Sequence, residues 1–151
     1  MRLSTKGRYA VMAMTDLAAH GAERAVSLAE IATRQQISLP YLEQLFARLR
    51  RGGLVRSVRG PGGGYRLSKE AAQTRISEIV LAVDEPIRAT RCAGGDNPHK
   101  GCMASGEQCL THGLWQALGD HIEDYLASVS LDDVIQRRFQ PPSAASRVAA
   151  E

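Results

Sequence analysis

Two patterns in the sequence predict a mainly α-helical fold with one small β-hairpin. Apolar residues recur at spacings of three and four in several separate segments, as expected of amphipathic helices. Between residues 55 and 67 the pattern changes to alternation on either side of the run GPGGG, which is typical of two strands joined by a tight turn. The order helix, turn, helix, hairpin therefore predicts a winged helix-turn-helix domain, which we assign to residues 1–84.

The first predicted helix covers residues 5–20 and ends at Gly21. The second begins at Ser27, because Glu30 three positions later completes a capping box in which each side chain satisfies a free backbone amide. Ser38 is predicted as the next N-cap, and Pro40 suits the first turn of that helix because its missing N–H costs little there. The third helix carries an apolar stripe and then a glycine stop: Leu39, Leu42, Leu45, Phe46 and Leu49, followed by Gly52 and Gly53.

The third helix and the hairpin carry the side chains that we predict to contact DNA. Polar residues lie off the apolar stripe of the helix, where they are expected to face the major groove. Arg59 sits at the tip of the hairpin beside glycines and is expected to reach a minor groove. An ordinary solvated charged face is the alternative explanation. The predicted DNA-binding residues are Ser38, Tyr41, Glu43, Gln44, Arg48, Arg59 and Gly60.

Charge is unevenly distributed along the 151 residues. Residues 1–70 carry a net charge of +7, and residues 71–151 carry a net charge of −4. A basic half is expected to face the phosphate backbone, so double-stranded DNA operators are the predicted partner. Five arginines concentrate around the third helix and the hairpin: Arg48, Arg50, Arg51, Arg56 and Arg59.

Residues 74–83 are predicted to form a fourth helix with one apolar face. Residues 88–108 show no periodicity and many glycines, and a loop of this length in a compact domain is usually functional or disordered. Its cysteines favour a function, so we assign residues 85–112 to a metal-cluster-binding loop. The apolar face of the fourth helix consists of Ile76, Ile79, Val80 and Val83.

Residues 110–138 are assigned to a long amphipathic helix and a short C-terminal helix, and residues 139–151 to a disordered tail. A single amphipathic helix after a small domain often pairs with a second copy of itself, although packing on its own domain is the alternative. Ser130 with Asp133 three positions later predicts the cap of the short helix. The predicted dimerisation residues are Leu114, Leu118, Ile122 and Leu126.

Three cysteines and one histidine follow the spacing C-x9-C-x6-C-x2-H. Thiolate and imidazole groups are ligands of zinc and of iron–sulfur clusters, whereas an odd number of clustered cysteines makes disulfide pairing a poor explanation. The spacing alone does not choose between the metals, although zinc sites favour two tight cysteine pairs and only the last pair is tight here. Candidate ligands are Cys92, Cys102, Cys109 and His112, with Asp96 and His99 as competing donors.

Several segments together resemble a known family of bacterial winged helix-turn-helix repressors that includes iron–sulfur cluster regulators. The wing glycines are shared across that family, whereas the pairing of ATRC with CLTH is typical of its iron–sulfur-sensing members. In unbroken order, the matching segments span nearly all of residues 1–135: MRLSTKGRYAVMAM, ISLPYLEQLFARLR, GLVRSVRGPGGGYRLS, AVDE, ATRC and CLTHGLW.

The resemblance implies a homodimer that senses the supply of iron–sulfur clusters and represses the genes that build them. It implies a [2Fe-2S] cluster, donated by the assembly machinery, on Cys92, Cys102, Cys109 and His112. Without the cluster, binding to a second class of DNA site is implied. Two features depart from the family: the loop before Cys109 is longer than usual, and Pro40 replaces a residue that is often serine, so base preference is expected to differ.

The sequence also argues against a membrane protein and an enzyme. No run approaches the roughly 20 apolar residues of a membrane span and no signal peptide is visible, so we predict a cytoplasmic protein without membrane partners. No paired carboxylates or nucleophile–base pattern supports catalysis, so we predict that it is not an enzyme. The alternatives are a nitric-oxide or redox sensor of the same family, a zinc-stabilised DNA-binding protein and a cluster carrier.

Overall fold

The computed structural model describes residues 5–83, 102–103 and 105–139. Cys92, Asp96 and His99, together with the predicted tail beyond residue 139, lie outside the described residues. The helices are α1 (Thr5–His20), α2 (Leu28–Gln35), α3 (Leu39–Arg51), α4 (Ile76–Ala82), α5 (His112–Ser128) and α6 (Leu131–Ile135). The hairpin strands are β1 (Val55–Val58) and β2 (Gly64–Leu67), and a short 3-10 turn covers Ala71–Gln73. This mainly helical architecture confirms the predicted fold class.

One apolar core joins the N-terminal helices to the hairpin and to α4. Four of the five residues in the predicted stripe of α3 are buried, whereas Leu39 is 39% exposed because it lies at the first position of the helix. All four residues on the predicted apolar face of the α4 segment are buried as well. Phe46 is fully buried and meets Tyr65 of β2 edge to face, with ring centroids 4.9 Å apart. The hairpin is therefore held against α3 by an aromatic contact.

The backbone before α2 pairs with β2 near the turn end of the hairpin. The amide of Val26 donates to the carbonyl of Tyr65 at 3.0 Å, and the amide of Tyr65 donates to the carbonyl of Val26 at 2.8 Å. Gly64 next to this bridge has φ +154°, and a Cβ atom there would lie 2.3 Å from the Val26 carbonyl oxygen. Only glycine fits such a close approach of two backbones.

A buried carboxylate links α1 to α2. The Asp16 side chain is inaccessible to solvent, and Arg34 donates to it from Nε at 3.0–3.1 Å and from Nη2 at 2.7 Å. Gln35 adds a third donor at 2.7 Å. Because a buried charge is tolerated only when paired and hydrogen-bonded, these contacts define how the first two helices pack.

Three helices begin beside a carboxylate that accepts from the backbone amide of the capping residue. Glu30 takes hydrogen bonds from Arg24 and from the amide and hydroxyl of Ser27, and these contacts, led by Arg24, lower the pKa of Glu30 to about 2. The same arrangement lowers the pKa of two other carboxyls: Glu78, chiefly through the amide of Arg75, and Asp133, through the hydroxyl and then the amide of Ser130.

The C-terminal end of the described chain returns to the DNA-binding domain. Arg75 and Ser130 form an antiparallel bridge, and the amide of Leu131 donates to the carbonyl of Thr74 at 2.9 Å. Leu131 itself is fully buried in the main core. The capping box of Ser130 and Asp133 occurs as predicted, yet α6 completes the core of the N-terminal domain and does not stand apart with α5. Among the described residues, no helix is long and apolar enough to span a membrane.

Candidate nucleic-acid interface and metal centre

The start of α3 presents polar side chains to solvent. Ser38 occupies the N-cap position with extended backbone angles, as predicted, although its side chain makes no capping hydrogen bond. Glu43 and Gln44 are both exposed on the face opposite the buried stripe. A carboxylate and an amide on the outer face of a recognition helix are groups that can read base edges in a major groove.

Tyr41 and Arg48 are less available than the sequence pattern predicted. Tyr41 is half-buried, and its ring meets Tyr9 of α1 edge to face at 5.9 Å. Arg48 is also half-buried, and its Nη1 donates to the carbonyl of Val83 at 3.2 Å. Both side chains therefore support the packing of α3 against its neighbours, which periodicity within α3 alone does not reveal.

The tip of the hairpin is open to solvent, as predicted. Arg59 and Gly60 are exposed, and Gly60 adopts φ +101°, a conformation that favours glycine. β1 ends at Val58, so Arg59 lies in the connecting turn. A guanidinium on an exposed turn can enter a groove without disturbing the strands behind it.

Two of the predicted metal ligands meet at the start of α5. Cys102 Sγ lies 3.4 Å from His112 Nδ1, although ten positions separate the two residues. Two ligands with bonds of about 2.0–2.3 Å to one tetrahedral ion lie about 3.6 Å apart, so this pair has the spacing of ligands to a single metal. His112 is the first residue of α5, and its amide donates to the Cys109 carbonyl at 2.9 Å.

Cys109 adjoins this pair through its backbone. Its amide donates to Cys102 Sγ at 3.0 Å, and its own Sγ lies 3.6 Å from Thr111 Oγ1. Amide donors and a helix N-terminus both stabilise a thiolate, which is the form that binds metal. The donor set of two sulfurs and one imidazole therefore fits a thiolate–histidine metal site. Within the ranges that the structure describes, no three such side chains are close enough to hold one ion together, and Cys92 lies outside those ranges.

Two residues of this site were missed by the sequence interpretation. Thr111 occupies the N-cap position of α5, and Trp115 Nε1 donates to its hydroxyl oxygen at 3.1 Å. The signal for this contact is the spacing of four between the two residues, which places their side chains on one face of a helical turn.

The predicted dimerisation stripe changes its exposure along α5. Leu114 is 61% exposed, whereas Leu118, Ile122 and Leu126 are half-buried, and Leu126 packs against the core of the chain itself. Leu110 precedes the helix and is fully exposed, although the periodicity had placed it on the helix. The first part of the stripe is thus the most accessible to a second copy.

The chain is similar to known transcriptional regulators. Residues 3–137 match a family model described as Rrf2, iron-dependent transcriptional regulator. The HTH-type transcriptional regulator IscR of Photorhabdus laumondii is 54% identical over 138 residues, which cover 91% of this chain and 81% of that protein. These matches are to transcriptional regulators, which are not enzymes. They confirm the prediction of a DNA-binding regulator.

Solved structures of two regulators have the same fold. T. potens IscR is 36% identical with a TM-score of 0.72, and the match covers 97% of this chain and 96% of that one. CymR, the global cysteine regulator of B. subtilis, is 32% identical with a TM-score of 0.73, covering 91% and 98%. The predicted winged-helix architecture is thereby confirmed.

Proposed function

The chain belongs to the Rrf2 family of iron-dependent transcriptional regulators, and we propose that it represses iron–sulfur assembly genes when it holds a [2Fe-2S] cluster. It is a DNA-binding transcriptional regulator with a helix-turn-helix. We further propose that it acts in the cytoplasm.

The observation that carries the proposal is the approach of Cys102 Sγ to His112 Nδ1 at 3.4 Å. A histidine among cysteine ligands is a known arrangement in [2Fe-2S] sites, and it raises the reduction potential. We assign the ligands as Cys92, Cys102, Cys109 and His112. When bound, the cluster would supply a charged, redox-active group at the N-terminus of α5.

Packed helices connect this site to α3, the helix that we propose reads DNA. His112 begins α5, α5 packs against α4, and Arg48 of α3 donates to the carbonyl of Val83 directly after α4. Ligand binding at the start of α5 can shift DNA affinity only if the two arrangements of the protein hold the ligand differently. The packed helices offer a route by which such a difference reaches α3.

We propose that the DNA-binding unit is a homodimer. Leu114 exposes an apolar side chain near the metal site, and apolar side chains along one helix face are suited to pairing with a second copy. Two recognition helices related by a two-fold axis would read a palindromic operator, with half-sites about one helical turn apart. The assembly machinery of the cell would donate the cluster.

Metal analysis of protein purified without oxygen tests the cofactor. We expect iron and acid-labile sulfide in equal amounts, about two of each per chain. Zinc without sulfide would instead identify a zinc-stabilised DNA-binding protein. A variant with Cys92, Cys102 and Cys109 all changed to alanine should lose the metal and keep the fold, because Cys102 is exposed and Cys109 only half-buried.

Operator affinity tests the sensing step. Cluster-loaded and cluster-free protein should be compared at one salt concentration, since phosphate contacts make affinity strongly dependent on salt. We expect tighter binding by the loaded protein at cluster-dependent operators. Equal affinities at every operator would contradict it, because a ligand without differential affinity moves no equilibrium.

A further inference from the structure

We propose that Thr111 is a positioning residue of the metal site and that its hydroxyl, oriented by Trp115, donates a hydrogen bond to the sulfur of Cys109. The inference rests on the proposed function, because it assumes that Cys109 is a ligand. Trp115 Nε1 lies 3.1 Å from Thr111 Oγ1, which in turn lies 3.6 Å from Cys109 Sγ. These contacts form a short chain from an indole through a hydroxyl to a thiolate.

The direction of each hydrogen bond follows from the chemistry of the groups. An indole N–H can only donate, so the Thr111 oxygen accepts from Trp115. A metal-bound thiolate carries no proton and can only accept. The Thr111 hydroxyl therefore directs its own hydrogen to the Cys109 sulfur when that sulfur binds metal.

The role of Thr111 at the helix end supports this assignment. A threonine at an N-cap ordinarily accepts from an amide in the first helical turn, and that bond is worth about 1 kcal/mol. Thr111 occupies the N-cap of α5, and its side chain makes no such bond. Its oxygen faces the sulfur and the indole, so the side chain serves the site and not the helix end.

Each of the two described cysteines then accepts one hydrogen bond at its sulfur. Cys102 Sγ accepts from the amide of Cys109 at 3.0 Å. When metal is bound, Cys109 Sγ accepts from the hydroxyl of Thr111, whose oxygen lies 3.6 Å away. Hydrogen bonds to cluster sulfurs stabilise negative charge and so raise the reduction potential. The donor to Cys102 belongs to the backbone, whereas the donor to Cys109 can be removed by one substitution.

Binding of Co²⁺ to the cluster-free protein tests the inference without any DNA readout. Thr111→Val removes the hydroxyl and keeps a similar shape, and loss of such a supporting contact typically lowers metal affinity by 10- to 100-fold. We expect about a tenfold loss for this variant. Thr111→Ser keeps the hydroxyl and should bind Co²⁺ as the unaltered protein does. Trp115→Phe removes only the orienting N–H and should show a smaller loss of the same sign.

The reduction potential of reconstituted protein provides the second readout. Thr111→Val should shift the midpoint to a more negative value, and Thr111→Ser should restore it, a pattern that a purely structural role would not produce. Thermal melting followed by circular dichroism checks that each variant is folded. Should Thr111→Val fail to fold, Trp115→Phe and Thr111→Ser still allow the same comparison.

The outcomes separate this inference from the proposed function. Unchanged Co²⁺ affinity and unchanged potential in both Thr111→Val and Trp115→Phe would overturn it. Co²⁺ binding that depends on the Thr111 hydroxyl, in a protein that retains no iron and sulfide, would support the inference while contradicting the proposed cluster.

Discussion

At the scale of single residues, the exposed face of α3 offers two groups for reading bases. Glu43 can accept from cytosine N4, and Gln44 can pair with adenine N6 and N7. Each such contact is worth about 1–3 kcal/mol of discrimination. Both groups lie in the first two turns of the helix, the part of a recognition helix that usually meets base edges.

Glu43→Ala is therefore expected to change which operator sequences are preferred more than it changes overall affinity. Selection from a randomised operator library, followed by affinity measurement on the ranked sequences, checks this. Glu123→Ala removes an exposed carboxylate from α5 and serves as the control. A uniform loss across all sequences with the ranking preserved would argue against base reading by Glu43.

Two arginines of the basic region are predicted to act differently. Arg59 lies exposed in the hairpin turn, so Arg59→Ala should weaken DNA binding at all sites and lower the salt slope by about one.

Arg48 donates to the carbonyl of Val83, so Arg48→Ala should lower the free energy of unfolding by about 1–2 kcal/mol. Binding titrations over a salt series and urea unfolding separate the two effects. A changed salt slope in Arg48→Ala would indicate that Arg48 contacts DNA phosphates after all.

At the scale of elements, α5 combines contact with its own domain and an exposed apolar start. Leu126 packs against the core, whereas Leu114, two residues after the candidate ligand His112, is mostly exposed. A substitution at the exposed end should therefore disturb an interface between copies without removing support from the fold. This distinguishes Leu114 from Leu118, which is already half-buried in the single chain.

Leu114→Asp is expected to yield a folded monomer, because an unpaired charge in a buried interface costs several kcal/mol. Sedimentation measures the mass, and circular dichroism verifies the helix content. Gln116→Asp places the same charge at a neighbouring exposed position and should leave the dimer intact. A dimer that persists in Leu114→Asp would locate the interface on another surface.

At the scale of the whole molecule, acid stability depends on the carboxylates at the helix starts. Folding lowers the pKa of Glu30 to about 2, and lowers those of Glu78 and Asp133. In the unfolded chain such carboxyls have a pKa of about 4. A lowered folded pKa means that these groups stabilise the protein above their unfolded pKa and that this stabilisation is lost as the pH falls through the folded values.

Urea unfolding midpoints should therefore fall as the pH decreases from about 4.5 toward 2. Glu30→Gln should be less stable than the unaltered protein at pH 7 and should lose less stability on acidification. Glu43→Gln, at an exposed site with no capping role in α3, is the matched control. Parallel pH profiles for all three proteins would show that the lowered pKa of Glu30 contributes nothing to the pH dependence of stability.

The helices, the caps and the wing could be predicted because their signals are local. The capping boxes at Ser27 and Ser130 each involve residues three positions apart, and the structure contains both. The stripe of α3 follows from helical spacing alone. Cys109 and His112 could likewise be predicted to adjoin, since one turn of chain joins them.

Contacts between residues that are distant in sequence became known only from the tertiary structure. Periodicity within α3 cannot show that Arg48 reaches Val83, because that contact depends on how α3 and α4 pack. Nor can it show that the buried Leu131 completes a core built mainly from the N-terminal half. The distance of Cys102 from His112 depends on the path of the intervening chain, which spacing leaves open. The sequence by itself thus determined the elements, the family and the candidate ligands. Packing determined which side chains remain available for DNA and which donors meet, because both depend on contacts between segments that no local pattern encodes.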